Sequence, residues 1–164
     1  MRAKRASLDL INLLKLAVAR EVQVSVQYML QHTLRGTQDS LVSTESIKTA
    51  PGKFVSSHSP VWLPGSSLKK IAIAEMRHAE TIGERLVNIG GEYRHYPTSF
   101  KIGQSLAEIL EIDRNQEEAA IELYKRIIEQ AENEQDQITA QMFACILSDE
   151  EKHFKTFSDL LSML

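Results

Sequence analysis

Four stretches of this chain place apolar residues at alternating steps of four and three, the repeat of a helix that buries one face. The first stripe carries Leu10, Leu14, Ala17, Val24 and Tyr28, and the second Leu68, Ile71, Ile82 and Ile89. The third carries Leu106, Leu110, Ala120, Tyr124, Ile127 and Ala131, and the fourth Phe143, Ile146, Phe157, Leu160 and Leu164. No such stripe can be buried by its own helix, and four of them close a common core. With only 7 Gly and 4 Pro in 164 residues, the expectation is one all-α domain, a four-helix bundle spanning residues 1–164.

Start and stop signals place the helices. The first is expected from about Ser7 to about Arg35, ending at Gly36; the second starts near Ser66 and Ser67 and ends at Gly90-Gly91. Ser105-Leu106-Ala107-Glu108 reads as a capping box opening a third helix that continues to about Asn133, and the fourth begins near Asp136. Residues 92–104 could span ~40 Å at ~3.3 Å per residue, the length of a ~27-residue helix. That link is long enough to cross the whole bundle and make the second and third helices parallel. Residues 37–65, with Pro51-Gly52, Pro60 and Pro64, read as a long inserted loop.

Each stripe is interrupted near its middle by ionisable groups: Glu21, then Glu75 and His78, then Glu117, then Glu150 and His153. Asp113 lies one turn before Glu117. Four carboxylates in an apolar core must be paired, neutralised or metal-bound. No Lys or Arg lies on those stripes to pair with them. Two divalent cations would balance four carboxylates, and two imidazoles would add neutral ligands, a donor set suited to iron or manganese and open to zinc. A Glu three residues before a His puts both on one helix face, so each pair can serve one metal of a dinuclear centre.

Glu-x-x-His alone is a weak motif, and the chain contains a third copy, Glu92-Tyr93-Arg94-His95, between Gly90-Gly91 and Pro97, which reads as a solvated loop. Glu118 neighbours Glu117, but its face continues through Glu122 and reads as solvated. Tyr28 and Tyr124 read as core aromatics able to hydrogen-bond near the site, Asp113 as a residue behind the ligands or an interhelical polar contact, and Cys145 as a small buried hydrophobe.

A formal charge of −3 gives no basic field for nucleic acid, and a single cysteine excludes an internal disulfide and a four-cysteine metal site. The basic start and following apolar run imitate a secretion signal, but Asp9 and Lys15 interrupt it, and no run reaches membrane-spanning length. The expected location is cytoplasmic.

These residues resemble the ferritin-like superfamily, and bacterioferritin in particular. Glu21 with Gln27-Tyr28, Glu75-Met76-Arg77-His78-Ala79, Ile102-Gly103, Asp113 before Glu117, and Asp149-Glu150-Glu151-Lys152-His153 carry the likeness, over about residues 10–35 and 68–157. The resemblance implies a ferroxidase centre of Glu21, Glu75, His78, Glu117, Glu150 and His153 holding two iron ions per subunit, with Glu75 and Glu150 bridging. It implies oxidation of ferrous iron by dioxygen or hydrogen peroxide, followed by storage or detoxification. Met76 occupies the position of the methionine that binds haem b shared between two subunits; an interface packing role is the alternative. The chain departs from the pattern in the long 37–65 segment and in having only Phe154–Leu164 after His153, where bacterioferritins carry a short fifth helix lining cage contacts. The expected assembly is a homo-oligomer, a dimer or a closed shell.

Rival readings are a rubrerythrin-like peroxide-scavenging di-iron protein and a non-catalytic metal-binding helical module. Against the first stand Ala120, three residues after Glu117, where members of that family carry a further Glu, and the single cysteine, which cannot make a four-cysteine rubredoxin module.

Overall fold

In a computed structural model the described residues are 6–45, 65–93 and 99–164. They form four helices: α1 Leu8–Glu45, α2 Gly65–Asn88, α3 Leu106–Asn133 and α4 Gln137–Ser162. The helix α1 packs along α2 and α3 along α4, and the two pairs join mainly through α1 against α3. Leu68 of α2 and Leu110 of α3 share one apolar cluster, while Leu86 and Ile127 share another. The two helices therefore run in the same sense, although residues 94–98 of their link lie outside the described residues.

Those two clusters set the site. One gathers Leu10, Leu14, Ile82, Leu86, Tyr124, Ile127 and Phe143; the other gathers Val24, Tyr28, Leu68, Ile71, Leu110 and Phe157. Each fully buried large side chain contributes roughly 1.5–3 kcal/mol, and the ionisable interruptions fall between the two clusters. Leu10, Leu14 and Ala17 are fully buried, so the apolar stretch that imitates a secretion signal forms core here. At the other end Leu164, expected on the core face, is exposed. It lies beyond the end of α4, where the helical register no longer directs it inward.

The first helix does not stop at Gly36 but continues to Glu45. A lone glycine in a helix interior costs only about 1 kcal/mol relative to Ala and ends a helix only when the chain also takes up capping geometry. The expected 37–65 loop is thus helical in its first part, and residues 46–64 lie outside the described residues.

The other boundaries have clear physical causes. At the end of α2 the Gly90 and Gly91 amides donate to the carbonyls of Val87 and Leu86, with Gly90 at φ 86°. Ser105 caps α3 by accepting from the Glu108 amide at 3.1 Å, and Glu108 accepts from the Gln104 amide at 2.8 Å, one residue before the cap. Between α3 and α4 the Gln135 and Asp136 amides donate to Glu132 and Ala131, which repeats the α2 ending with an exposed Gln at φ 64° instead of Gly. Asp136 then caps α4: its Oδ1 accepts from the Thr139 amide at 3.1 Å, and both its oxygens accept from Arg85 of α2, at 2.6 and 2.7 Å.

This turn gives a paired test. Gln135→Gly removes the left-handed strain and should stabilise the protein by about 0.5–1 kcal/mol, whereas Asp136→Ala loses the cap and should cost about 1–2 kcal/mol. Urea denaturation of both variants, metal-free, checks the opposite signs.

Candidate metal centre

The six ionisable interruptions meet in one layer between the apolar clusters. Glu21, Glu75, Glu117 and Glu150 are fully buried, and His78 and His153 nearly so. Their potential ligand atoms fall into two groups of four, each with all atoms within 4.8 Å of one another: Glu21, Glu75, His78 and Glu150, and then Glu75, Glu117, Glu150 and His153. Glu75 and Glu150 belong to both groups. The helix repeat explains the convergence, since each i, i+3 pair projects from one face and the antiparallel α2–α4 packing brings the pairs together across the core.

His78 Nδ1 lies 3.1 Å from Glu75 Oε2 and 3.1 Å from Glu150 Oε1, and His153 Nδ1 lies 2.8 Å from Glu75 Oε1. The rings are 6.4 Å apart, centre to centre. Burial by itself would lower both imidazoles, but hydrogen bonds to Glu150 and Glu75 outweigh it and raise His78 to about 9 and His153 to about 10. Burial likewise works against ionised Glu75 and Glu150, and the same histidine contacts outweigh it and hold both below the usual carboxylate range. Glu21 and Glu117 are pushed well above that range by burial, which the nearby Arg20 charge only partly offsets.

No Lys or Arg lies on the stripes, but Arg20 beside them supplies a cation to the carboxylates. Its side chain is only 9% exposed and lies 3.2 Å from Glu21, 3.1 Å from Glu117 and 4.0 Å from Glu150. The core stripe passes through Glu21 and omits its neighbour. Arg20, Gln27 and Gln31, at steps of seven and four, share a second line flanking that stripe, and this line faces α3. Gln27 and Gln31 each donate to Asp113 Oδ1 at 2.9 Å, and Gln31 also donates to the Ile102 carbonyl at 3.1 Å. Burial lifts Asp113 to about 7 against these two hydrogen bonds. Asp113 is thus an interhelical contact one turn behind Glu117.

Tyr28 donates its hydroxyl to Glu117 Oε1. Tyr124 stacks edge-on with Phe143, and the Arg20 guanidinium lies 5.9 Å from its ring centre. Glu118 is exposed, as is Glu92, which lies past the end of α2; His95 is outside the described residues. Cys145 is exposed rather than buried, because it falls on the outer side of α4, two residues past Phe143. Met76 is 49% exposed on the outer face of α2, beside Val26, Leu30 and Ile73, which are partly exposed too.

The family model of the ferritin-like domain matches residues 65–164. The chain belongs to the ferritin-like family. Its relatives include bacterioferritins of Desulfovibrio desulfuricans, 36% identical over 58% of this chain and 54% of the relative, and of Streptomyces coelicolor, 35% identical over 55% and 54%. The chain thus spans about half the length of the curated relatives it matches. Similar solved structures include Mycobacterium tuberculosis bacterioferritin BfrA, with a TM-score of 0.77 at 23% identity over 98% of this chain and 88% of that one. The D. desulfuricans bacterioferritin, solved with its diiron site in different catalytic states, gives 0.73 at 29% identity over 94% and 78%. Rhodobacter capsulatus bacterioferritin, solved with a metal-free dinuclear site and haem iron, gives 0.78 at 20% over 98% and 88%. Among the described residues of this ferritin-like chain, no helix is long and apolar enough to cross a membrane.

The histidine shifts set a sign for metal-free stability. Both folded-state values lie above the ordinary 6.5, so their stabilisation is complete below that value and is lost as pH rises through about 9 to 10. The urea midpoint of chelator-treated protein should fall between pH 8 and 10, and His153→Gln should flatten that fall. A wild-type midpoint constant across the window would contradict the assignment.

Proposed function

We propose that this protein is a ferroxidase that oxidises ferrous iron within its own bundle as a step in iron storage or detoxification. The observation that carries the reading is the sharing of Glu75 and Glu150 between two four-residue groups, each completed by one further Glu and one His. Two adjacent cation positions with two common carboxylates are what a dinuclear centre requires, and carboxylate and imidazole donors fit iron. The 29% identity to a bacterioferritin whose diiron site has been followed through catalytic states supports the same reading.

In this reading Glu21, Glu75, His78 and Glu150 would hold one ion, and Glu75, Glu117, Glu150 and His153 the other. Iron enters as substrate. Each ferrous ion gives up one electron, and the two electrons with two protons reduce dioxygen to hydrogen peroxide or, with hydrogen peroxide as oxidant, yield two waters. The chain's own contribution is positional. Apolar clusters on both sides keep bulk water from the layer, and Tyr28 orients Glu117 through its hydroxyl. His78 and His153 must shed their protons to act as ligands, so loading releases protons and tightens as pH rises toward 9.

The exposed apolar residues Val26, Leu30, Ile73 and Met76 on α1 and α2 support a homo-oligomer joined through that face, with Met76 able to offer a sulfur to haem b shared by two subunits. Storage in turn rests on a closed shell, because one bundle encloses no volume for mineral.

Anaerobic titration with ferrous iron should show two ions per chain, and Glu75→Ala or His153→Ala should lose at least one of them. Undiminished binding of two ions in both variants would sink the site. In air, Glu117→Ala should slow ferric formation at least about tenfold, while Glu92→Ala should leave it unchanged. Haem, if taken up, should load at one per two chains, and Met76→Leu should abolish its absorbance while sparing the iron site.

A further inference from the structure

Arg20 is a poor companion for a site that must receive cations. Its Nη2 lies 3.1 Å from Glu117 Oε2 and is anchored at 2.8 Å by the Gln116 carbonyl, and its Nη1 lies 3.2 Å from Glu21 Oε1 and 4.0 Å from Glu150 Oε2. The guanidinium thus bridges the carboxylates that belong to only one group each, Glu21 on one side and Glu117 on the other. The two are not equally engaged. Glu21 has one oxygen on Arg20 and the other 4.0 Å from His78 Nδ1, whereas Glu117 has both oxygens hydrogen-bonded, one to Arg20 and one to Tyr28. The backbone anchor holds the guanidinium in place, so its charge remains beside any ion that enters, and with 9% exposure water screens it weakly.

We propose that Arg20 is a built-in counter-cation that takes the electrostatic place of a metal ion in the metal-free protein, and that it weakens binding of the ion held by Glu117 and His153. This deepens the ferroxidase reading and rests on it. Arg20 is a positioning residue: it acts through Glu117 and Glu21 and through its own charge. An always-protonated guanidinium stabilises the buried carboxylates it reaches, Glu21, Glu117 and Glu150, before iron arrives, and afterwards repels the ion nearest it. The chemical consequence is a centre whose second position exchanges its iron, suited to iron as a substrate passing through and unsuited to a permanently resident pair.

The test is calorimetric titration of the full chain with Zn(II), which does not change oxidation state, on wild type, Arg20→Gln and Arg20→Lys. Wild type should bind two ions of unequal affinity. Arg20→Gln should tighten the weaker one on the order of tenfold, the direction that loss of a nearby like charge dictates, and Arg20→Lys should bind as wild type does. Metal-free Arg20→Gln should melt below wild type, and saturating Zn(II) should raise its Tm by more than it raises that of wild type. If Arg20→Gln is unfolded without metal, folding on Zn(II) addition supports the proposal, and remaining unfolded at saturating Zn(II) overturns it. Equal or weaker binding in a folded Arg20→Gln overturns it as well and leaves Arg20 as a residue that merely positions Glu117. A wild type that binds no metal would instead overturn the metal centre itself.

Discussion

Everything in this bundle is arranged around the burial of four carboxylates in a layer with apolar packing above and below. A carboxylate taken out of water is tolerated only with compensation, and Glu21, Glu75, Glu117 and Glu150 are each fully buried. The structure compensates in two ways. His78 and His153 bond to Glu75 and Glu150 and keep that central pair ionised, while Arg20 and Tyr28 attend to Glu21 and Glu117 at the flanks. The charge balance is therefore met by groups of the chain itself.

The surrounding architecture keeps this layer in register. The Arg85–Asp136 pair ties α2 to the start of α4, and Ser7 ties the start of α1 to Glu134 at the end of α3. At the other end Gln27 and Gln31 hold Asp113 one turn from Glu117. Each contact fixes the axial position of one helix against another. A slip of one residue would rotate a ligand by about 100° away from the layer, since a helix turns once in 3.6 residues. The polar ties thus give specificity of register, and apolar burial gives most of the stability.

The residues that meet in the layer were legible because a buried charge on an apolar stripe is conspicuous: the step pattern singles out Glu21, Glu75, His78, Glu117, Glu150 and His153 without knowledge of helix packing. The same logic separated Glu117 from the exposed Glu118. It failed where length or context overrides pattern. Arg20 lies off the stripe, and its long side chain reaches the carboxylates from there. Gly36 looks like a stop, but a helix passes through a single glycine when nothing else turns the chain. Cys145 looks like a small core residue by type, and its helical phase puts it outside.

The sequence by itself determined four amphipathic helices, the caps that open α3 and α4, and which ionisable groups must share a buried layer, because periodicity and the cost of burying charge act locally along each helix. Only the tertiary structure decided how those groups pair. That Glu75 and Glu150 stand in both groups of four, that Tyr28 and Arg20 take the two oxygens of Glu117, and that Arg85 clamps Asp136 all depend on the rotation and axial offset of one helix against another. Those offsets come from the packing of both apolar clusters together, and no single segment encodes them.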